Sequence, residues 1–189
     1  MALAVSVAVG GCAAVPRPAP AAAGNLTFTS SWTASGKAPL RDGEYREPLA
    51  PGSTAQLVVK LAAAAFGSAG GREIGAVILV TDPGGSGSFY DLALLVNRNG
   101  RWQNTDVVPL GDRVKIRSLR VENEAVVVPM TAHGPGDAMC CPTQPVTRRF
   151  GVQDDRLLDQ ALDRLKSASG ATLKEAGEEE HGCFPEEVR

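Results

Sequence analysis

The chain has 189 residues, a formal net charge of −2 at pH 7 and 43% hydrophobic residues. This length fits one domain, and the apolar fraction is sufficient for a packed core. The balanced charge excludes the basic excess typical of nucleic-acid-binding proteins, and no polybasic patch indicates an anionic lipid surface. With 21 glycines, 13 prolines and only 5% aromatic residues, the composition predicts short elements joined by many turns.

The N-terminus carries an apolar run, residues 2–9, followed by Gly10, Gly11 and Cys12. That order is typical of the end of a bacterial lipoprotein signal, in which the cysteine becomes the lipidated first residue. No Lys or Arg precedes Cys12, and the alternative interpretation is an Ala-rich terminus with an ordinary cysteine. A transmembrane span is excluded, because it needs about 20 apolar residues and Pro16 comes too early. The sequence therefore predicts export and attachment to a membrane of the cell envelope through a lipid on Cys12.

Four segments follow from composition. We predict a signal remnant and lipobox over residues 1–12, a Pro/Ala tether over 13–24, a β-rich globular domain over 25–170 and an acidic tail over 171–189.

The globular part contains apolar runs separated by turn residues. A short strand is expected over 25–28, a loop with room for one short strand over 30–51, and either a strand or a short helix over 54–65. Further strands are predicted over 76–81, 88–97, 101–110, 114–122 (with a slip near Ser118), 125–131 and 146–152. Asn99-Gly100 is a hairpin signal. A spacing of about 10 residues predicts an antiparallel meander of about six to eight strands, as a curled sheet or a sandwich.

After the strands, the apolar period changes. Leu157, Leu158, Ala161, Leu162 and Leu165 fall on one helical face. An N-cap at Asp154 or Asp155 and Gly170 beyond the end predict one C-terminal amphipathic helix over 154–168, docked on the sheet.

Four cysteines are present. If Cys12 takes lipid, Cys140, Cys141 and Cys183 remain. In an oxidising compartment we expect a disulfide from Cys183 to either Cys140 or Cys141. Adjacent cysteines seldom pair with each other, because the intervening peptide bond strains the usual geometry.

Three motifs stand out: Gly84-Gly85-Ser86-Gly87-Ser88-Phe89-Tyr90, Leu110-Gly111-Asp112-Arg113-Val114 and His133-Gly134-Pro135-Gly136-Asp137-Ala138-Met139-Cys140-Cys141-Pro142-Thr143. Together they resemble an uncharacterised class of secreted bacterial domains and lipoproteins, with LppP/LprE-type lipoproteins as more distant relatives. The resemblance covers residues 56–152 and implies a fold and an exported location, since the class has no assigned activity. Relatives often carry an acidic, calcium-type loop where residues 66–75 here keep the glycines but only Glu73, so we predict no metal site.

Each motif has a chemical and a structural interpretation. The glycine run resembles a phosphate cradle or a nucleophile elbow, but it lacks the Lys-Ser/Thr and the final Gly that these need, which favours a turn. Asp112 and Arg113 form either a ligand-orienting pair or a clamp between a turn and a loop, and the clamp is favoured.

The third motif holds the remaining chemically suggestive cluster. His133, Asp137, Cys140 and Cys141 allow an activated thiolate or, with His181 and Cys183, a zinc site. A disulfide is favoured in an exported chain. We therefore expect a non-enzymatic envelope lipoprotein without a cofactor. The expected partner is the membrane, through the N-terminal lipid, and nucleic acid is not expected to bind. The protein or small-molecule ligand is unknown. The candidate ligand contacts are His133, Asp137, Asp112 and Arg113. The alternative is a thiol- or zinc-dependent site of His133, Cys140, Cys141 and Cys183.

Overall fold

The computed structural model describes residues 23–161, and within them the chain forms twelve β-strands. They are β1 (Thr27–Thr29), β2 (Lys37–Pro39), β3 (Glu44–Pro48), β4 (Gln56–Ala69), β5 (Arg72–Asp82), β6 (Phe89–Arg98), β7 (Arg101–Asp112), β8 (Lys115–Ile116), β9 (Arg120–Glu122), β10 (Ala125–Ala132), β11 (Gln144–Gln153) and β12 (Arg156–Asp159). The prediction of a mainly β, antiparallel fold is confirmed.

Five strands form the larger sheet, an antiparallel meander in the order β3-β4-β5-β6-β7. The Asn99-Gly100 hairpin predicted from the sequence joins β6 to β7, with φ values of 54° and 81°. Gly70 and Gly71 join β4 to β5 in the same way, also at positive φ. The main-chain twist of such two-residue turns matches that of the strands they connect, which explains the continuous meander.

The second sheet runs β12-β11-β10, and both β8 and β9 pair with the remaining edge of β10. The predicted slip near Ser118 is confirmed as a break between these two short strands. Pro129 of β10 supplies the reason. Its carbonyl accepts a hydrogen bond from the amide of Arg117, 2.9 Å. In an antiparallel pair the N–H and C=O of one residue point to the same neighbouring strand, so the hydrogen bond that Pro129 cannot donate is also missing on this side. The ladder cannot continue there, and the chain leaves it over residues 117–119.

The larger sheet is buried on both faces. One face packs on the second sheet through a cluster that includes Ile78, Leu94, Val128 and Phe150. The other face packs on the β1–β2 hairpin through a cluster that includes Phe28. Because successive side chains of a strand point to opposite faces, the central strands β5 and β6 contribute to both clusters.

The two sheets meet at both sides, which gives a curled, partly closed sandwich. At one side β9 crosses β4, where Val121 lies against Gly67. At the other side, the Leu157 amide of β12 donates to the Asp106 carboxylate of β7, 2.8 Å, and Arg148 of β11 donates to the Pro109 carbonyl, 2.8 Å. The meander was predicted from sequence, whereas these closing contacts come from residues far apart in the chain.

Several predictions need correction. The C-terminal helix is wrong at its start: Asp154 and Asp155 form a hairpin turn at φ 49° and 61°, and β12 follows. Leu157 is buried and Leu158 is 36% exposed, so the leucines there follow the two-residue period of a strand. The rest of that helix, residues 162–168, lies outside the described residues, as do the lipobox, most of the tether and the acidic tail.

The structure also decides two further stretches and the number of strands. Residues 54–65, left open between strand and helix, belong mainly to strand β4. Residues 66–75, expected as a loop, are the β4–β5 hairpin. The described residues hold twelve strands rather than six to eight, because the 30–51 stretch contains both β2 and β3, the predicted 114–122 strand is divided into β8 and β9, and β12 was not expected.

Candidate functional site

The three sequence motifs meet at one junction, which comprises Ser86, Ser88, Asp112, Arg113 and Met139. The turn after β7 places Arg113 there. Gly111 has φ 131°, a conformation available mainly to glycine, and Arg113 itself has φ 51°, which is uncommon for a residue with a side chain. This backbone path turns the Arg113 side chain towards the other two motifs.

The guanidinium of Arg113 makes the contacts that join the motifs. Its Nη1 donates to Asp112 Oδ2 at 2.5 Å and to the Met139 carbonyl at 2.9 Å. Its Nη2 donates to the Ser86 carbonyl at 2.5 Å. An arginine fork presents several donors in a fixed plane, so one side chain holds three segments in register.

The backbone adds to the same junction. The Asp112 Oδ1 atom accepts from the Ser88 amide at 2.9 Å, and the Arg113 amide donates to the Ser88 carbonyl at 2.7 Å. These are the contacts of a clamp between a turn and its neighbouring loops, the favoured interpretation of this pair. A ligand-binding role for Asp112 or Arg113 stays a prediction.

Asp137 organises the third motif from within. Its carboxylate accepts from the amides of Gly134 and Thr143, both at 2.8 Å, and from the Thr143 hydroxyl at 2.7 Å. The Gly134 amide is the main cause that lowers the pKa of Asp137, with Thr143 next and the nearby His133 contributing by its charge. Asp137 is therefore the closing residue of this loop, and a role for it or His133 in ligand binding stays a prediction.

The two adjacent cysteines of the third motif lie side by side. The Sγ atoms of Cys140 and Cys141 are within disulfide distance of each other, and a disulfide from Cys183 to either of them stays a prediction because Cys183 lies outside the described residues. Both residues are exposed, as is Met139 beside them, at 77%. The chain bends here, with the Cys141 amide donating to the Ala138 carbonyl at 2.9 Å. Pairing of adjacent cysteines requires such a local turn, which the sequence spacing alone did not indicate.

The remaining predicted site residues fall elsewhere. Cys12, His181 and Cys183 lie outside the described residues. Within residues 23–161, no group of three or more His, Cys, Asp or Glu side chains is arranged to hold a metal ion. In the stretch of residues 66–75, Glu73 accepts a hydrogen bond from the Asn97 side-chain amide at 2.6 Å.

One feature of the surface was missed by the sequence analysis. A groove of about 560 Å³, here called the β4–β8 groove, opens between the β4 bulge and the chain that leaves β7. Its lining residues are Ala62, Ala63, Ile78, Tyr90, Arg113, Val114, Lys115, Ile116, Arg117, Ser118 and Leu119. The sequence signal for this groove was the alternation of apolar residues with Lys115 and Arg117. The same alternation is typical of any half-exposed strand, so it did not indicate a groove.

The groove touches the junction through Arg113, so two features of the site share one side chain. No helix that would span a bilayer occurs within the part of the chain that the structure describes. Comparison of the chain with protein-family models, with curated proteins and with solved structures gave no match.

Proposed function

We propose that this protein is a lipid-anchored component of the bacterial cell envelope whose β-domain is a non-enzymatic binding module, with the β4–β8 groove as its binding site. The observation that carries the binding role is the groove itself. It has the volume of a small-molecule site, and its lining is mainly apolar with a few polar side chains. The tether is supported by the order of residues around Cys12 and by the Pro/Ala stretch that follows.

A test of the anchor compares the full chain with its Cys12→Ser variant, each expressed behind a positively charged leader in a bacterial host. Cys12 carries the acyl chains in this proposal, and burying an acyl chain stabilises membrane binding by about 0.8 kcal/mol per CH₂. The unsubstituted chain should enter the detergent phase on phase separation, and Cys12→Ser should stay in the aqueous phase. The Cys183→Ser variant is the matched control and should partition like the unsubstituted chain. Equal partitioning of Cys12→Ser and the unsubstituted chain would contradict the anchor.

A second candidate function rests on the exposed pair Cys140 and Cys141. An exposed disulfide is open to attack by a thiolate. A dithiol partner would reduce the pair with two electrons and two protons and would itself become a disulfide. His133 was the predicted activator of a thiolate, yet within residues 23–161 no hydrogen bond joins it to either cysteine. The geometry therefore favours the binding module.

Peptide mapping of the Cys12→Ser chain without reductant tests the cysteine pairing. The vicinal pair predicts that Cys140 and Cys141 resist alkylation and that Cys183 is alkylated. A dithiol should then release two additional thiols from one peptide. Recovery of Cys183 in a disulfide with either neighbour would overturn the pairing and remove the basis of a thiol-dependent function.

A further inference from the structure

All charged residues that line the β4–β8 groove are cations: Arg113, Lys115 and Arg117. Arg113 is engaged by the junction, with Asp112 as its ion-pair partner at 2.5 Å. Lys115 and Arg117 are exposed, and neither takes part in an ion pair among the residues described. The groove therefore has two cations available for an anion from solution.

The excess of cations is a local property of the groove. The whole chain carries a net charge of −2, so no general excess of cations accounts for it. Within residues 23–161, the Arg117 side chain makes one hydrogen bond, from Nη2 to the neutral Thr131 hydroxyl 3.4 Å away. An anion placed between Lys115 and Arg117 would meet no carboxylate among the lining residues.

The rest of the groove is apolar. Ile78 of β5 and Tyr90 of β6 come from the larger sheet, and Ala62 stands at the bulge of β4. Val114, Ile116 and Leu119 come from the opposite side: Val114 precedes β8, Ile116 lies in β8, and Leu119 lies in the segment that leaves the β10 ladder after Pro129. The groove therefore combines apolar side chains with cations, the two components of a site for an anionic amphiphile.

Building on the proposed function, we infer that the β4–β8 groove binds a single-chain amphiphile with an anionic head group, free in solution. The acyl chain lies along the apolar trough, and the head group lies between Lys115 and Arg117. A concave site with two available cations suits one anionic head better than a lipid surface, which is recognised by clusters of about four to eight Lys and Arg residues.

The test is calorimetric titration of the full-length Cys12→Ser chain, which has no attached lipid to compete, with dodecanoate below its micellar concentration. We expect saturable binding at one site and much weaker binding of uncharged dodecanol. Replacing both cations, Lys115→Gln with Arg117→Gln, should weaken dodecanoate binding about tenfold or more, since each loses a charge-assisted contact. The matched control, Arg41→Gln with Arg101→Gln, removes the same charge from exposed positions outside the groove and should bind like the parent.

A second pair of variants tests the trough. Ala62→Trp fills it and should abolish binding with both cations retained, whereas Ala55→Trp, at an exposed position outside the groove, should not. Circular dichroism confirms that each variant is folded. Dodecanoate binding that survives both groove variants, or its absence from the parent chain, overturns the inference. Binding only to vesicles of anionic lipid overturns it in favour of a membrane surface.

The two proposals fail separately. Equal detergent partitioning of the Cys12→Ser and unsubstituted chains would contradict the anchor and leave the titration unchanged. Loss of membrane attachment in Cys12→Ser without any dodecanoate binding would overturn this ligand class alone.

Discussion

Single residues hold this fold together at points where distant segments meet. Arg113 links the other two motifs through Ser86, 27 residues before it, and Met139, 26 residues after it. The sequence suggested a clamp of this kind from the Asp112-Arg113 pair, but not which loops it joins. The reason is physical: a guanidinium donates equally well to carbonyl and carboxylate oxygens of any segment, so the fold determines which oxygens it meets.

Asp91 is a carboxylate whose charged form is disfavoured by burial in the folded state. It lies on β6, near the ring pair of Trp32 and Phe89, whose centroids are 4.2 Å apart. Burial raises the pKa of Asp91, and the Trp32 side chain acts in the opposite direction with a smaller effect. The folded state therefore holds the Asp91 proton more tightly than the unfolded state does.

This shift predicts how Asp91→Asn behaves with pH. The pKa of Asp91 is higher in the folded state than in the unfolded state. The free-energy cost of burying its charge is therefore absent below the unfolded pKa and grows until the pH has passed the folded pKa. Asp91→Asn removes the charge with little change of shape and should raise the free energy of unfolding at neutral pH, with the gain vanishing in acid. Urea denaturation at both conditions measures it.

The control for this prediction is Asp42→Asn, at an exposed position with φ 50° that asparagine also accepts. Its effect should stay within about 0.5 kcal/mol. A destabilised Asp91→Asn at neutral pH would show that the Asp91 carboxylate stabilises the fold.

At the scale of elements, turn chemistry decides which strands the sequence reveals. The Asn99-Gly100 turn and the strands on either side of it were predictable, because Asn-Gly favours positive φ at both positions. Asp154-Asp155 adopts the same kind of turn, but aspartate is also a common helix N-cap, and the leucines after it fit either period. β2 and β3 are short and lie in a Gly/Pro-rich stretch, so their pairing depends on the neighbouring strands.

The crossing of β9 over β4 depends on a missing side chain. A Cβ atom built on Gly67 would lie 2.6 Å from Val121 Cγ1 and 2.8 Å from Val121 Cβ. The Val121 Cβ atom is fixed to the backbone, so relief requires movement of β9 itself. Gly67→Ala should therefore lower the free energy of unfolding by about 1–3 kcal/mol, the usual effect of overpacking a core.

Thermal or chemical denaturation measures the effect of Gly67→Ala, and Gly85→Ala is its matched control. A Cβ on Gly85 would have no atom within 4 Å, and its φ is not positive. This control should differ from the parent by no more than about 0.5 kcal/mol. Equal stability of the two variants would mean that β9 does not approach β4 as closely as described.

At the scale of the whole molecule, the sheets are held by contacts that no local pattern contains. The β4–β8 groove arises because the bulge of β4, the floor of β5 and β6 and the segment after β7 come together. Each of these segments has the sequence pattern of an ordinary strand, so the residues that form the groove were not predictable from the sequence. The three motifs were identified from the sequence, yet their meeting at Arg113 depends on the turn conformations of residues 111–113.

Three hairpin tips are joined at the far end of the sandwich by one carboxylate, which gives the last prediction. Asp155 of the β11–β12 turn accepts from Arg72 of the β4–β5 hairpin and from Arg98 at the β6–β7 turn, both at 2.5 Å. The Arg98 hydrogen bond is the largest cause that lowers the pKa of Asp155, and Arg72 adds to it. The stabilisation is therefore present above the unfolded pKa and is lost as the pH falls through the folded pKa.

Asp155→Asn keeps an oxygen acceptor and suits the φ of 61°, but it removes the charge. The two arginines are about half exposed, so we expect a loss of about 1 kcal/mol at neutral pH and low salt. The loss should shrink at about 1 M salt, where charges are screened within about 3 Å. It should also vanish in acid.

Denaturation of Asp154→Asn provides the control, since its φ is 49° and its side chain makes no ion pair within residues 23–161. A loss that is the same at low and high salt would mean that the hairpin tips are held by packing rather than by the charge of Asp155.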